Sequence, residues 1–161
     1  MRFSKSKHRW LVIMLCAGVA FSVWARELAV GDAVPEFSAK DQFGKAFKLE
    51  PGLPFLMLGF ERSTATAADV KLTDLGTNWL DKHGMVYVLD IHSMPSVARY
   101  FALPKMKKYH YRVVLGETEQ LLAPFPRRPE HITVLALTET GKVREIRYWN
   151  PATDDLEPLL K

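Results

Sequence analysis

The sequence predicts an α/β domain in which helices cover both faces of a mixed β-sheet, forming a three-layer sandwich. Residues 55–60 are a continuous apolar segment, the pattern of a strand that is buried on both faces, and residues 85–91 are predicted to be a second buried strand. A helical pattern separates them, and a helical crossover between two strands of one sheet produces parallel pairing. Residues 131–137 and 143–149 alternate around a Glu-Thr-Gly-Lys turn, which predicts an antiparallel hairpin at one side of the sheet.

The first 25 residues are expected to be a secretory signal peptide and not part of this domain. Four Lys/Arg residues among the first nine precede an apolar run over residues 10–20. Val23 and Ala25 fit the two positions that signal peptidase reads, so we expect cleavage after Ala25, a periplasmic location and a domain of residues 26–161. The alternative is a retained membrane anchor, for which the run is shorter than the roughly 20 residues of a spanning helix.

Cleavage would change both the charge and the cysteine content of the protein. Without its first 25 residues, which hold four Lys/Arg and no Asp/Glu, the chain has 18 basic and 18 acidic residues. A neutral domain of this kind argues against nucleic-acid binding. Cys16 is the only cysteine, so residues 26–161 offer no thiol, disulfide or thiolate metal ligand.

Each remaining element is predicted from its own local pattern. Residues 38–49 alternate around a Gln-Phe-Gly-Lys turn and are predicted to form a short hairpin. Thr66 and Asp69 stand at capping-box spacing, so a helix is expected from Thr66 to Gly84. Ser93 is expected to cap a second helix, which Pro104 stops. The last elements are a strand over 111–115, one or two helical turns over 117–123 and a closing helix over 154–160.

Two tryptophans receive opposite predictions. Trp79 continues the apolar helical face formed by Ala68, Leu72 and Leu75, so it is expected to lie in the core. Trp149 stands at the end of the second hairpin and is interpreted as an exposed aromatic contact, a role that tryptophan often has in interfaces.

Two motifs resemble the exported, peroxiredoxin-like branch of the thioredoxin superfamily. The segment GDAVPEFSAKDQFGKAFKL, residues 31–49, is similar to the opening of that branch, and ITVLALTETGKV, residues 132–143, is similar to its later strand and hairpin. Residues 90–115 also resemble a group of small exported proteobacterial proteins of unknown function. The resemblance implies a thioredoxin-like three-layer sandwich with a groove and a sheet edge that bind extended peptides.

The sequence departs from this family where the family does its chemistry. The reactive Cys-x-x-Cys pair falls, by position, near Ala65 and Ala68, and the cis-proline falls at Ile132 with Pro129 out of register. A trans bond is expected at Ile132, because a non-proline cis peptide costs about 3 kcal/mol. A thiolate is the attacking group in disulfide and peroxide chemistry, so no such activity is expected. No G-x-G-x-x-G follows a strand, and no flavin or other cofactor is expected.

Three loops are expected to meet at the carboxyl ends of the strands, where open α/β sheets bind their ligands. The expected partner is a protein or peptide of the periplasm, and membrane contact is expected only through a retained signal. The side chains of this candidate binding rim are Glu61, Arg62, Ser63, Thr64, Asp90, His92, Met94, Glu130, His131 and Ile132.

Some of these side chains suggest alternatives to peptide binding. His92 and His131 with Glu61 or Glu130 could bind a divalent metal, and His92 and Met94 with Met106 could bind copper(I). Copper-handling relatives of the family, however, bind through the absent cysteine pair. Ser63 with His92 and Asp90 has the residue types of a nucleophilic triad but lacks the G-x-S-x-G elbow.

Residues 104–112 combine four Lys/Arg residues with two tyrosines and a histidine. This composition fits contact with an acidic partner or with lipid head groups. It fits equally a solvated loop whose tyrosines pack back on the sheet.

Overall fold

The computed structural model describes residues 26–161, so the predicted signal peptide and its cleavage after Ala25 lie outside the described residues. Within 26–161, no helix has the length and apolar character needed to cross a bilayer. The described strands are β1 (Ser38–Asp41), β2 (Ala46–Lys48), β3 (Phe55–Gly59), β4 (Met85–Asp90), β5 (Val113–Gly116), β6 (Ile132–Leu137) and β7 (Val143–Trp149).

These strands form one seven-stranded mixed sheet in the order β2-β1-β5-β4-β3-β6-β7. The centre is parallel, since β4 pairs in parallel with both β3 and β5. The flanks are antiparallel, with β1 beside β5 and β6 between β3 and β7. The predicted mixed α/β class and both predicted hairpins are therefore confirmed.

Two apolar layers form on the two faces of this sheet because side chains alternate along each strand. Met57 packs on one face, and its neighbours Leu56 and Leu58 pack on the other. The first layer is covered by the helices α1 (Arg62–Leu75), α2 (Trp79–Lys82) and α3 (Ser96–Met106) and by a closing 3₁₀ turn, Glu157–Leu160. The second is covered by α4 (Glu119–Leu122) and the entry segment around Phe37.

The first helix differs from its prediction at both ends. α1 begins at Arg62 with Glu61 as its N-cap, and the hydroxyl of Thr66 donates to the carbonyl oxygen of Arg62 at 2.9 Å inside the helix. The predicted capping box at Thr66 and Asp69 is therefore wrong. The helix ends at Gly76, whose φ of 96° suits glycine, and Gly84 instead follows the separate helix α2.

The second long helix also differs from its prediction. α3 begins at Ser96, because Ser93 is bonded to the carboxylate of Asp90 in the preceding turn. Pro104 does not stop it, and α3 continues to Met106. A proline in the last turn disturbs few of the bonds that a proline in the middle of a helix would break.

The two tryptophans and the closing element only partly match their predictions. Trp79 is half-buried against the core, as predicted. Trp149 is 0% exposed and donates from Nε1 to the carbonyl oxygen of Asp154 at 3.1 Å, so the prediction of an exposed aromatic contact is wrong. The closing element is a short 3₁₀ turn and not a helix over 154–160, since Pro158 stands in its first turn.

Candidate functional site

The site begins at the corner where β3 passes into α1. Gly59 ends the strand, and a Cβ atom there would lie 2.7 Å from Leu89 Cδ2 and 2.8 Å from the Tyr87 hydroxyl. Any larger residue would force these two buried side chains to shift. Glu61 then takes the N-cap position in extended backbone, but its side chain does not cap the helix.

The carboxylate of Glu61 reaches instead to a distant loop. Its Oε2 atom accepts a hydrogen bond from the backbone N–H of Glu130 at 3.2 Å, joining residues 69 positions apart. Glu130 has a φ of 61°, and among residues 26–161 it is the one non-glycine residue with a positive φ. Left-handed backbone is strained for a glutamate and persists only where the surroundings hold it. The bond to Glu61 is one such restraint.

An open cleft of about 290 Å³ lies beside this corner. One wall is the first turns of α1, and the other is the turn that follows β7. The turn is held by the side chain of Asn150, which accepts from the backbone N–H of Ala152 at 3.0 Å. The cleft is lined by Ser63, Thr64, Ala67, Glu130, Asn150, Pro151 and Ala152.

Three of the predicted rim residues line this cleft, and two more stand next to it. Ser63, Thr64 and Glu130 are in its lining, and Glu61 supports it. His131 lies beside Glu130, where its Nδ1 atom is 2.7 Å from the carbonyl oxygen of Pro129. A carbonyl oxygen only accepts, so this ring nitrogen carries the proton.

The other rim residues do not line the cleft, and Arg62 is the exposed first residue of α1. Asp90 is buried and accepts from the backbone N–H and the hydroxyl of Ser93. Met94 packs against the core, while His92 is exposed. Ile132 is 0% exposed and its peptide bond is trans, so its side chain lies in the core and does not face the cleft.

The carboxylate–histidine metal site and the nucleophilic triad are not assembled among the described residues 26–161. Within residues 26–161, no three His, Cys, Asp or Glu side chains converge as a metal site requires. Asp90 bonds Ser93, with Arg127 at 4.0 Å, and does not orient His92 toward Ser63.

The two positions at which the sequence resemblance places the reactive pair lie in the first two turns of α1. Ala65 is half-buried against the core, and Ala68 is 0% exposed within it. Their neighbour Ala67 faces the cleft instead. Ala67 and the wall from Asn150 to Ala152 were not among the residues predicted from the sequence. The signal for that wall was the Asn-Pro pair directly after a strand, which is a turn signature.

A group of tyrosines supports α1 from the sheet side. The hydroxyl of Tyr111 donates to Asp69 at 3.0 Å, and the ring of Tyr111 stacks on Tyr109 at 5.2 Å between centroids. Burial, and secondarily the negative charge of Asp69, raises the pKa of Tyr109 to about 12. Burial likewise raises the pKa of Tyr111. These phenols therefore stay protonated at neutral pH, and Asp69 is held by the core and not by a helix cap.

Known structures show the same fold at low sequence identity, whereas neither a family model nor a curated protein matches the chain. The thioredoxin domain of a thiol-disulfide oxidoreductase from Bacteroides vulgatus is similar with a TM-score of 0.55 and 16% identity, covering 84% of this chain and 100% of that one. A peroxiredoxin-like protein from Aquifex aeolicus has a TM-score of 0.54 and 13% identity, covering 85% and 86%.

A third similar structure is a putative thiol:disulfide interchange protein from Chlorobium tepidum. It has a TM-score of 0.51 and 17% identity, and the alignment covers 78% of this chain and 90% of that one. The described domain therefore has a thioredoxin-like α/β fold. Identities this low establish the fold and not an activity.

Proposed function

We propose that this protein is a redox-inactive, cysteine-free thioredoxin-like protein of the cell envelope, which binds an extended segment of a protein or peptide in the cleft beside α1. The observation that carries the proposal is the bond from the Glu130 N–H to Glu61, which holds the positive-φ loop that lines an open cleft beside the start of α1. Strained backbone held in place at a cleft is a common feature of binding sites.

The chemistry of the cleft suits a peptide main chain. No side chain caps α1, so its first-turn N–H groups are left without a side-chain acceptor. Ser63 and Thr64 of that turn line the cleft, and a helix N-terminus attracts carbonyl oxygens and carboxylates. Ala67 and Pro151 add apolar contact, as ligand clefts combine a few polar groups with apolar walls.

Strand β7 offers a second element for an extended partner. It lies at the edge of the sheet. At the start of its outer side, the backbone of Val143 forms hydrogen bonds with the backbone of Gly31 and Asp32, in the segment that precedes β1. A segment that entered the cleft near Asn150 could continue along this edge by strand addition, the mode in which main-chain bonds supply affinity.

Residues 26–161 contain no cysteine that could carry out thiol chemistry. Ala65 and Ala68 carry methyl groups, and Cys16, the only cysteine of the chain, lies in the segment proposed to be removed. Without a thiolate, neither disulfide exchange nor peroxide reduction can begin. We therefore propose that purified protein of residues 26–161 leaves insulin disulfides and hydrogen peroxide unchanged.

Export can be tested directly by mass. Intact-mass measurement of the protein from a periplasmic extract should give residues 26–161, because the apolar run is short and ends at a peptidase boundary. A mass that includes Trp10, found in the membrane fraction, would contradict cleavage. It would leave the peptide-binding proposal standing.

Peptide binding is tested by filling the cleft. The change Ala152→Arg places a long side chain on an exposed alanine of the cleft wall, while Ala29→Arg adds the same side chain to an exposed alanine that does not line it. Peptides selected from a random library on the full chain should bind Ala152→Arg at least about tenfold more weakly, since one blocked anchor commonly exceeds 1 kcal/mol. The matched Ala29→Arg variant should bind as the parent does. Equal binding by all three proteins would overturn the proposal.

A further inference from the structure

The outward side of α3 carries a row of apolar side chains that the described chain leaves uncovered. Val97, Tyr100 and Phe101 are 72%, 75% and 70% exposed, and Pro104 is exposed beside them. At 3.6 residues per turn these four positions share one side of the helix, and we call them the α3 ridge. The opposite side is anchored in the core through Met106. The ridge is therefore a fixed feature of a packed helix.

The segment that carries the α3 ridge is strongly cationic. Residues 91–116 contain five Lys/Arg and no Asp/Glu, although residues 26–161 as a whole are neutral. Two of the five are engaged, Arg112 with Asp41 and Arg99 with backbone carbonyl oxygens. The remaining three are exposed and take part in no ion pair within residues 26–161: Lys105, Lys107 and Lys108.

The lysines stand where they can act together with the apolar row. At roughly 100° per residue, Lys105 and Lys107 fall on the two flanks of the α3 ridge, and Lys108 follows its end. Two nearby carboxylates do not pair with these lysines, since Asp69 accepts from Tyr111 and Asp90 accepts from Ser93. The positive charge around the ridge is thus left for an external partner.

We infer that the α3 ridge docks on the surface of an anionic phospholipid bilayer, independently of the cleft beside α1. Tyrosine and phenylalanine side chains enter the boundary between head groups and acyl chains, where one end of the ring is apolar and the other wet. Lysines on the flanks extend their aliphatic stems along the apolar layer and place their ammonium groups at the phosphates. The lysines thus bind the acidic head groups by charge, and the aromatic side chains of the α3 ridge bind the boundary of the acyl chains.

Two other occupants fit these observations less well. A symmetric contact between two copies would bring the lysine flanks of one ridge against those of the other, and the segment holds no acid to relieve the repulsion. A protein partner would have to supply both a groove for the apolar row and acidic groups for three separate lysines. The surface of an anionic bilayer presents an apolar layer and negative head groups together along its whole plane.

The test uses the full chain and a reporter that responds only at the ridge. Cys16→Ser removes the native thiol, and Val97→Cys then allows an environment-sensitive fluorophore to be attached on the ridge. Thr140→Cys, in the exposed turn between β6 and β7, is the matched control. Each labelled protein is mixed with vesicles of phosphatidylcholine alone or with about 30% phosphatidylglycerol, the anionic lipid that the lysines should require. Any binding through residues 1–25 is common to both labelled proteins.

The label at position 97 should shift to the blue with the anionic vesicles and stay unchanged with phosphatidylcholine, while the label at position 140 stays unchanged with both. Reversing the three charges together, Lys105→Glu with Lys107→Glu and Lys108→Glu, should lower the vesicle affinity read by the ridge label at least about tenfold. Circular dichroism checks that this variant is folded. An unresponsive label at position 97 would overturn the inference. So would a blue shift without lipid that depends on protein concentration, since it would show that a second copy covers the ridge.

Discussion

Two polar regions of this domain use similar side chains in opposite ways. At the β1–β5 corner, formed by Asp41, Gln42 and the start of β5, the polar groups are buried and fully bonded. Asp41 is 3% exposed and accepts from the N–H groups of Phe43 and Lys45 and from Arg112. At the α1 corner, Glu61 and Glu130 share a single bond of 3.2 Å, and Glu130 is exposed.

The difference distinguishes a structural site from the proposed binding site. A buried carboxylate whose oxygen atoms are all engaged stabilises its loop and has nothing left for a ligand. Gln42 completes that corner by donating to the carbonyl oxygen of Tyr111 and accepting from the N–H of Val113, each at 2.8 Å. The α1 corner keeps exposed polar groups and an open cleft, so its groups remain available to a partner.

The largest expected effect is on the β1–β5 corner. Asp41→Ala leaves two backbone N–H groups and a guanidinium without their acceptor, which should lower the free energy of unfolding by about 3 kcal/mol. Urea unfolding measures this loss. Asp32→Ala is the matched control, because Asp32 also accepts from a backbone N–H and an arginine but has a side chain 31% exposed. The control should lose at most about 1 kcal/mol, and equal losses would break the distinction between the two regions.

The second largest effect is expected from acid, which should lower the stability that the β1–β5 corner gives to the fold. Burial alone would raise the pKa of Asp41, but the N–H groups of Lys45 and Phe43 and the guanidinium of Arg112 outweigh it, and its pKa lies below the ordinary 3.8. A lowered pKa in the folded state gives stability that is present above the unfolded value and is lost as pH falls through the folded one. Unfolding measured from pH 7 downward should therefore show a loss of stability below about pH 4. The loss should be smaller in Asp41→Asn, and an identical pH profile would count against this role.

The α1 corner should respond more in binding than in stability. Glu61→Ala removes the acceptor of the Glu130 N–H, an exposed bond worth about 1 kcal/mol or less in unfolding. It also frees the loop that lines the cleft, so affinity for library-selected peptides should fall more than stability does. Glu61→Gln keeps an acceptor oxygen and should restore most of the affinity. A Glu61→Ala protein that binds normally would show that the cleft does not need this restraint.

The smallest effect is expected at Thr66. Its hydroxyl donates to a carbonyl of its own helix and it is exposed, so Thr66→Ala removes no cap. Alanine is the better helix former, and the unfolding free energy should stay constant or rise by about 0.5 kcal/mol. Thermal unfolding of the parent and of Thr66→Ala measures this difference in stability. A loss of 1 kcal/mol or more, the usual cost of deleting a cap, would show that Thr66 caps after all.

The strands and hairpins were predictable because their signals are local. The continuous apolar runs of β3 and β4 and the turn residues at Gly44 and Gly141 each fix one element without help from the rest of the chain. Their order then required a parallel centre with antiparallel flanks. The lack of a cysteine in residues 26–161 was equally visible, since it is read directly from the sequence.

The features that the sequence could not decide depend on residues far apart in the chain. α1 begins at Arg62 and not at Thr66, and the carboxylate of its N-cap, Glu61, is taken by a backbone group 69 positions away. Trp149 is buried because the closing turn folds over it and Asp154 accepts its N–H. The α3 ridge is exposed because α3 packs its other side, which includes Met106, against the core. Composition and periodicity determined which elements form, while packing decided which of their faces remain free to bind.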